Sequence, residues 1–197
     1  MTSVLGGMGE GRGLGRGGMI TIPNAITLAR LCAVPLAVWL ILKGEMVLAF
    51  WLFVAAGVSD ALDGYIAKRS GAQTAVGAVL DPVADKALLV TVYVTLGLTG
   101  RLADWLVILV VFRDVFIVGG VLMLYVLGSP PEIRPLPVSK VNTALQIALA
   151  ALVLFDNAYG VPALIVVDAL VWGVAASTLA SGVAYAARWV RGGGAAA

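Results

Sequence analysis

The sequence predicts an all-α, polytopic membrane protein with six transmembrane helices. Three observations lead there. Mean hydropathy is +1.02, far above that of an ordinary soluble domain. Apolar runs recur from Ile26 to Val190, and several reach the roughly 20 residues a helix needs to cross a bilayer. Each run ends at Gly, Pro or charge, where a helix would stop.

The first helix is expected over residues 24–42, ended by Lys43-Gly44-Glu45. Ahead of it, residues 20–23 suit a short interfacial lead-in. The second covers 46–69 and ends at Ser70-Gly71; the third covers 74–98 and stops at Thr99-Gly100-Arg101. The fourth covers 102–127, before Gly128-Ser129-Pro130-Pro131, and the fifth covers 138–155, closed by Asp156-Asn157. The sixth covers 161–190. One membrane domain, residues 19–191, thus takes nearly the whole chain. Residues 1–18 form a Gly-rich tail expected to be disordered, and 192–197 a flexible one. The tail's repeated G-x-G lacks the preceding strand and the following helix of a phosphate nest. The first apolar run is long and leads into further spans, unlike a cleaved signal peptide.

Composition excludes several chemistries. The chain has no histidine, which removes His-based catalysis, His–metal sites and Ser-His-Asp triads. Its one cysteine, Cys32, makes no intrachain disulfide and reads as a small buried hydrophobe. Acid–base or metal chemistry must come from carboxylates, Lys, Tyr or Ser. The net charge of +2 is small, and no nucleic-acid partner is expected.

Orientation follows from the basic residues. With six spans, the termini share a side with the second–third and fourth–fifth connections. That side holds Arg12, Arg16, Lys68, Arg69, Arg134, Lys140, Arg188 and Arg191; the other holds Lys43 and Arg101. Eight against two places both termini in the cytoplasm.

Acids concentrate where the second helix ends and the third begins. Asp60 and Asp63 are three apart, Asp81 and Asp85 four apart, so each pair shares a helix face. A hairpin near Ser70-Gly71 would fold the third helix beside the second and bring all four to one membrane depth. Four unpaired carboxylates repel, so something positive must compensate. A salt-bridged cluster with Lys68, Arg69 and Lys86 is one reading, and a proton or cation pathway is another. The third is an all-oxygen site for hard divalent ions, suited to displacement at phosphorus. Gly64, Ala67 and Gly77, near the acids, leave room for a ligand or a close helix.

The stretch reads Asp60-x2-Asp63-Gly64-x2-Ala67-Lys68-x8-Gly77-x3-Asp81-x3-Asp85. It resembles the signature of the CDP-alcohol phosphotransferases (CDP-alcohol phosphatidyltransferases), D-x2-D-G-x2-A-R-x8-G-x3-D-x3-D. Every spacing agrees, and the six-span layout extends the resemblance over nearly all the chain after residue 20. Lys68 departs from the pattern, since the family usually has Arg there; Lys keeps the charge and loses the bidentate fork.

The resemblance implies transfer of a phosphatidyl-type group from a CDP-linked donor to an alcohol, with release of CMP. It implies that Asp60, Asp63, Asp81 and Asp85 bind two divalent ions, Mg²⁺ or Mn²⁺, and that Asp85 also serves as base. Gly64, Lys68 and Thr74 would line the CDP site, and Ala67 and Gly77 would permit close approach. Asn24 and Thr27, in "IPNAITLAR", resemble the family's N-terminal nucleotide contacts. CDP-diacylglycerol is the expected donor, and a homodimer is implied.

Outside the signature, Arg113 in "FRDVFIVGG" and Lys140 in "VSKVNTALQ" suggest a cationic acceptor pocket rimmed by Arg134. Alternatively, Arg113 pairs with an acid on a neighbouring helix. Both stretches look most like the cardiolipin synthase branch, whose acceptor is phosphatidylglycerol. The rival is phosphatidylglycerophosphate synthase, using glycerol 3-phosphate. A transporter is a different class, but it would need polar residues through to both faces, and here they crowd the cytoplasmic half. Asp168 has no assigned role.

Overall fold

A computed structural model describes residues 22–70, 75–126, 136–161 and 164–193. These form six helices, with no strand among the described residues: α1 (Ile22–Lys43), α2 (Met46–Ser70), α3 (Ala75–Leu98), α4 (Asp104–Val126), α5 (Pro137–Tyr159) and α6 (Leu164–Gly193). The expected elements are all present, with shifted ends. Ile22 and Pro23 belong to α1 itself, not to a separate lead-in. Proline suits a helix's opening turn, where its missing N–H leaves no bond unmade. Asp104 starts α4, its charge matched to the helix N-terminus. The two residues before it are not yet helical: Leu102 turns back to bond the Leu96 carbonyl at 3.2 Å and is buried.

Gly44 joins α1 to α2 at φ 79°, a left-handed conformation that glycine adopts without steric cost. The same logic corrects the end of α5. Asp156 and Asn157 do not close it; the helix runs on to Tyr159 and is capped by Gly160 at φ 64°, whose N–H bonds the Asp156 carbonyl.

α1 packs against α3 and α2, α2 against α5, α5 against α6, and α6 against α4. Ile41, Tyr93, Leu96, Leu106, Leu149, Leu154 and Val174 are almost wholly buried at the centre. The turn of the expected hairpin between the second and third helices, and the side chains of residues 61–70 and 75–85 on either side of it, lie outside the described residues. α1 has extensive contact with both, while α2 and α3 have no comparable contact between described residues.

The exterior is as apolar as the core. Leu28, Trp39, Ile108, Phe112, Val118, Leu122, Ile165 and Trp172 all stand exposed. Water would penalise such a surface at about 25 cal/mol per Å², and a bilayer removes the penalty. Three stretches are long and apolar enough to cross a membrane: Asp104–Met123, Pro137–Tyr159 and Ile165–Trp189. Met46–Asp60 and Lys86–Leu98 are shorter apolar helices among the described residues. The protein is an integral membrane helix bundle. Cys32 is exposed on the outer face of α1, not buried as expected. An outward-facing thiol in a lipid-covered wall loses nothing, because its surroundings are apolar either way.

The bundle has two unlike ends. At one, Trp51 Nε1–H donates to Tyr159 Oη (3.0 Å), and Arg101 Nε–H donates to Asn157 Oδ1 (3.1 Å). Phe50 and Phe155 stack edge-on beside them, as suits a membrane–water boundary. Asp60, Ser139 and Ser181 lie toward the other end, nearer the close of α2 and α6 and the start of α5, and Lys86 and Arg113, from the middle of α3 and α4, join them.

Candidate active site

Asp60 sits just past the middle of α2. Arg30, from the first half of α1, reaches it with Nη1 3.1 Å from Oδ1. The arginine is buried, at 3% side-chain exposure, whereas the aspartate side chain is 44% exposed. A guanidinium in a span needs an anion or a polar cavity, and here Asp60 supplies the anion. Arg30 and Asp60 line a cavity of about 540 Å³, whose other walls come from α2, α3 and α5. Phe53, Val54, Leu88, Leu89, Ile147 and Ala151 make it mostly hydrocarbon. Lys86 enters from α3, so Asp60 of α2 and Lys86 of α3 line the same space.

Lys86 Nζ lies 2.7 Å from Asp114 Oδ2 on α4. Asp114 Oδ1 accepts a bond from the neighbouring Arg113 Nη1 at 2.9 Å. Arg113 Nη2–H donates to Ser139 Oγ of α5 (2.6 Å) and to Ser181 Oγ of α6. One charged network therefore ties α3, α4, α5 and α6 together at the polar end. Arg113 Nε has no hydrogen-bond partner among the described residues. Deeper in, Asn142 Oδ1 accepts from Ser177 (2.8 Å) and Thr178 (2.9 Å) of α6. Tyr93 O–H donates to the Gln146 carbonyl at 3.0 Å.

The predicted site residues fall into three groups. Asp60, Arg113 and Lys140 are described with their side chains; Lys140 is exposed in the first turn of α5, one residue past Ser139. Asn24, Thr27, Asp63, Gly64, Ala67, Lys68, Gly77, Asp81 and Asp85 have described helical positions, but their side chains lie outside the described residues. Thr74 and Arg134 lie wholly outside them. Arg113 does meet an acid, but Asp114 is on its own helix, and the cross-helix partner of that acid is Lys86. Arg30 and Asp114 were not singled out from the sequence. Arg30 carried the available signal, a lone charge in an apolar run, the pattern that marked Arg113. Asp168 is exposed on α6.

As a donor set, four carboxylates without histidine suit hard divalent ions. Asp60 fits such a role: its carboxylate is half open to the cavity, not enclosed within its ion pair.

Comparison with known proteins converges on one family. The family model for CDP-alcohol phosphatidyltransferase matches residues 20–183. A Drosophila melanogaster protein named "Probable cardiolipin synthase (CMP-forming)" is 36% identical over 153 residues, 70% of this chain and 48% of that protein. The Homo sapiens protein named "Cardiolipin synthase (CMP-forming)" is 31% identical over 147 residues, 66% of this chain and 49% of that one. An Oryza sativa subsp. japonica protein named "CDP-diacylglycerol--glycerol-3-phosphate 3-phosphatidyltransferase 1, chloroplastic" is 31% identical over 195 residues, 89% of this chain and 59% of that one. The chain spans about half the length of the curated relatives it matches.

Proposed function

The chain belongs to the CDP-alcohol phosphatidyltransferase family, and from that premise we propose that it transfers a phosphatidyl group from CDP-diacylglycerol to a hydroxyl of phosphatidylglycerol, forming cardiolipin and releasing CMP. One observation carries the choice of acceptor. The two stretches that resemble the cardiolipin synthase branch, around Arg113-Asp114 and Ser139, come together in one network with Lys86, next in sequence to Asp85.

In this reading Asp85 takes the proton of the acceptor hydroxyl, whose oxygen attacks the phosphatidyl phosphorus. The bond from that phosphorus to the bridging oxygen breaks, and CMP leaves. An alcohol is a poor nucleophile, so a positioned base is needed. Asp60, Asp63, Asp81 and Asp85 would hold two divalent ions, Mg²⁺ or Mn²⁺, which supply charge neutralisation on the pyrophosphate. Asn24, Thr27, Gly64, Ala67, Lys68, Thr74 and Gly77 hold the CDP moiety. Lys140 and Arg134 attract the anionic acceptor, and Arg113 offers an Nε–H that has no partner among the described residues. The site and both termini face the cytoplasm, and the enzyme works as a homodimer.

A second reading has its own support, in the relative named for glycerol-3-phosphate transfer that covers 89% of this chain. In it, glycerol 3-phosphate is the acceptor. The experiment gives the purified chain CDP-diacylglycerol with either acceptor and measures CMP. Release with phosphatidylglycerol is expected. Release with glycerol 3-phosphate alone moves the assignment to the second reading, and no release with either removes the transferase assignment.

A further inference from the structure

Two cations, Arg30 and Lys86, stand on the wall of the cavity, each beside an acid. Arg30 faces Asp60. Lys86 and Arg113 share the single carboxylate of Asp114, at 2.7 and 2.9 Å. That three-residue group carries one surplus positive charge. Arg113 has 7% side-chain exposure and Lys86 has 34%, so the surplus is presented at Lys86, on the cavity wall. The rest of that wall is hydrocarbon, from Phe53 and Val54 through Leu88 and Leu89 to Ile147. A cation at one end of an apolar cavity complements an anionic amphiphile, and glycerol 3-phosphate has no chain to lay there.

We propose that this cavity seats the acceptor lipid, with one acyl chain along the apolar wall and its phosphodiester against Lys86 Nζ. Asp114 is the positioning residue that holds Lys86 at the wall, braced in turn by Arg113, Ser139 and Ser181. This rests on the transferase reading and adds to it a place for the acceptor. The donor pyrophosphate belongs to the four aspartates in that reading, which leaves Lys86 for the acceptor phosphate.

The test reads binding without turnover. The full chain, purified in detergent, is given equal amounts of phosphatidylglycerol, phosphatidylcholine and CDP-diacylglycerol with matched acyl chains, and retained lipid is read by native mass spectrometry. The wild type should prefer phosphatidylglycerol over phosphatidylcholine by about tenfold, the worth of one charge-assisted contact. Lys86→Gln should lose that preference, and Lys86→Arg should keep most of it. Asp114→Asn should weaken the preference in the wild-type background and change nothing further in the Lys86→Gln background. Equal retention of phosphatidylglycerol and phosphatidylcholine by the wild type overturns the proposal, as does an undiminished preference in Lys86→Gln. If Lys86→Gln instead loses retention of CDP-diacylglycerol alone, the cavity is the donor's and the proposal also fails. A further loss from Asp114→Asn in the Lys86→Gln background ends the positioning role. Failure of the transferase reading would appear separately, as absent CMP release by a wild type that still selects the anionic lipid.

Discussion

Replacing Asp114 by asparagine keeps its shape and removes the anion that, among the described residues, lies between Lys86 and Arg113. Asp114 is 8% exposed, with Lys86 at 2.7 Å and Arg113 at 2.9 Å. Taking one partner from a buried ion pair costs about 3–5 kcal/mol, because the other charge is left uncompensated. Lys86 is 34% exposed and can turn into the cavity, so its share is screened and the total belongs near the low end, about 3 kcal/mol. Arg113→Met removes a cation and its bonds to Ser139 and Ser181, yet leaves Asp114 paired with Lys86; about 1–3 kcal/mol is expected. The double variant leaves no buried charge uncompensated at position 113. Its cost should fall below the sum of the singles by about 1–3 kcal/mol. Denaturation of the detergent-solubilised protein measures all three. Costs that simply add would refute the view that Asp114 chiefly neutralises Arg113.

Three other expectations follow from the site and the bundle. Asp85→Asn should abolish CMP release while leaving the unfolding midpoint near that of the wild type; normal turnover would remove Asp85 as the base. Chelation with EDTA should stop transfer, and added Mg²⁺ or Mn²⁺ should restore it; activity that persists in EDTA would instead favour a structural or cation-pathway role for the four aspartates. Asn142→Leu removes the acceptor of the Ser177 and Thr178 hydroxyls, the polar tie between α5 and α6. Interhelical hydrogen bonds in membranes average about 0.6 kcal/mol each, so a loss of roughly 1 kcal/mol is expected in the same denaturation assay. No measurable loss would mean that packing alone joins these helices.

Much of this protein is legible along the chain, because its strongest signals are local. Gly44 and Gly100 mark turns by backbone chemistry confined to a few residues, and the apolar runs declare six helices before any contact is known. Element ends were less legible. α5 passes Asp156-Asn157 because a helix stops where a residue can take the left-handed cap, and Gly160 is that residue. The spacing from Asp60 to Asp85 likewise needs only helical geometry and the resemblance of its signature.

What a sequence cannot express is which charge answers which. Arg113 demanded a partner, and the demand was visible. That Asp114 would be shared with Lys86 of α3, and the guanidinium braced by Ser139 and Ser181, depends on helices distant in sequence meeting at one end. Cys32 shows the same limit: in a bundle whose inside and outside are equally apolar, hydropathy does not say which way a small side chain faces. The sequence by itself determined the class, the six helices and the acid spacing, since these rest on local propensity and period. Only the tertiary structure decided that α1 packs on both α2 and α3, that Arg30 reaches Asp60, and that a hydrocarbon-walled cavity opens beside Lys86. Those follow from which faces pack together, and in a lipid-facing bundle small residues and polar ties settle packing more than hydrophobicity does.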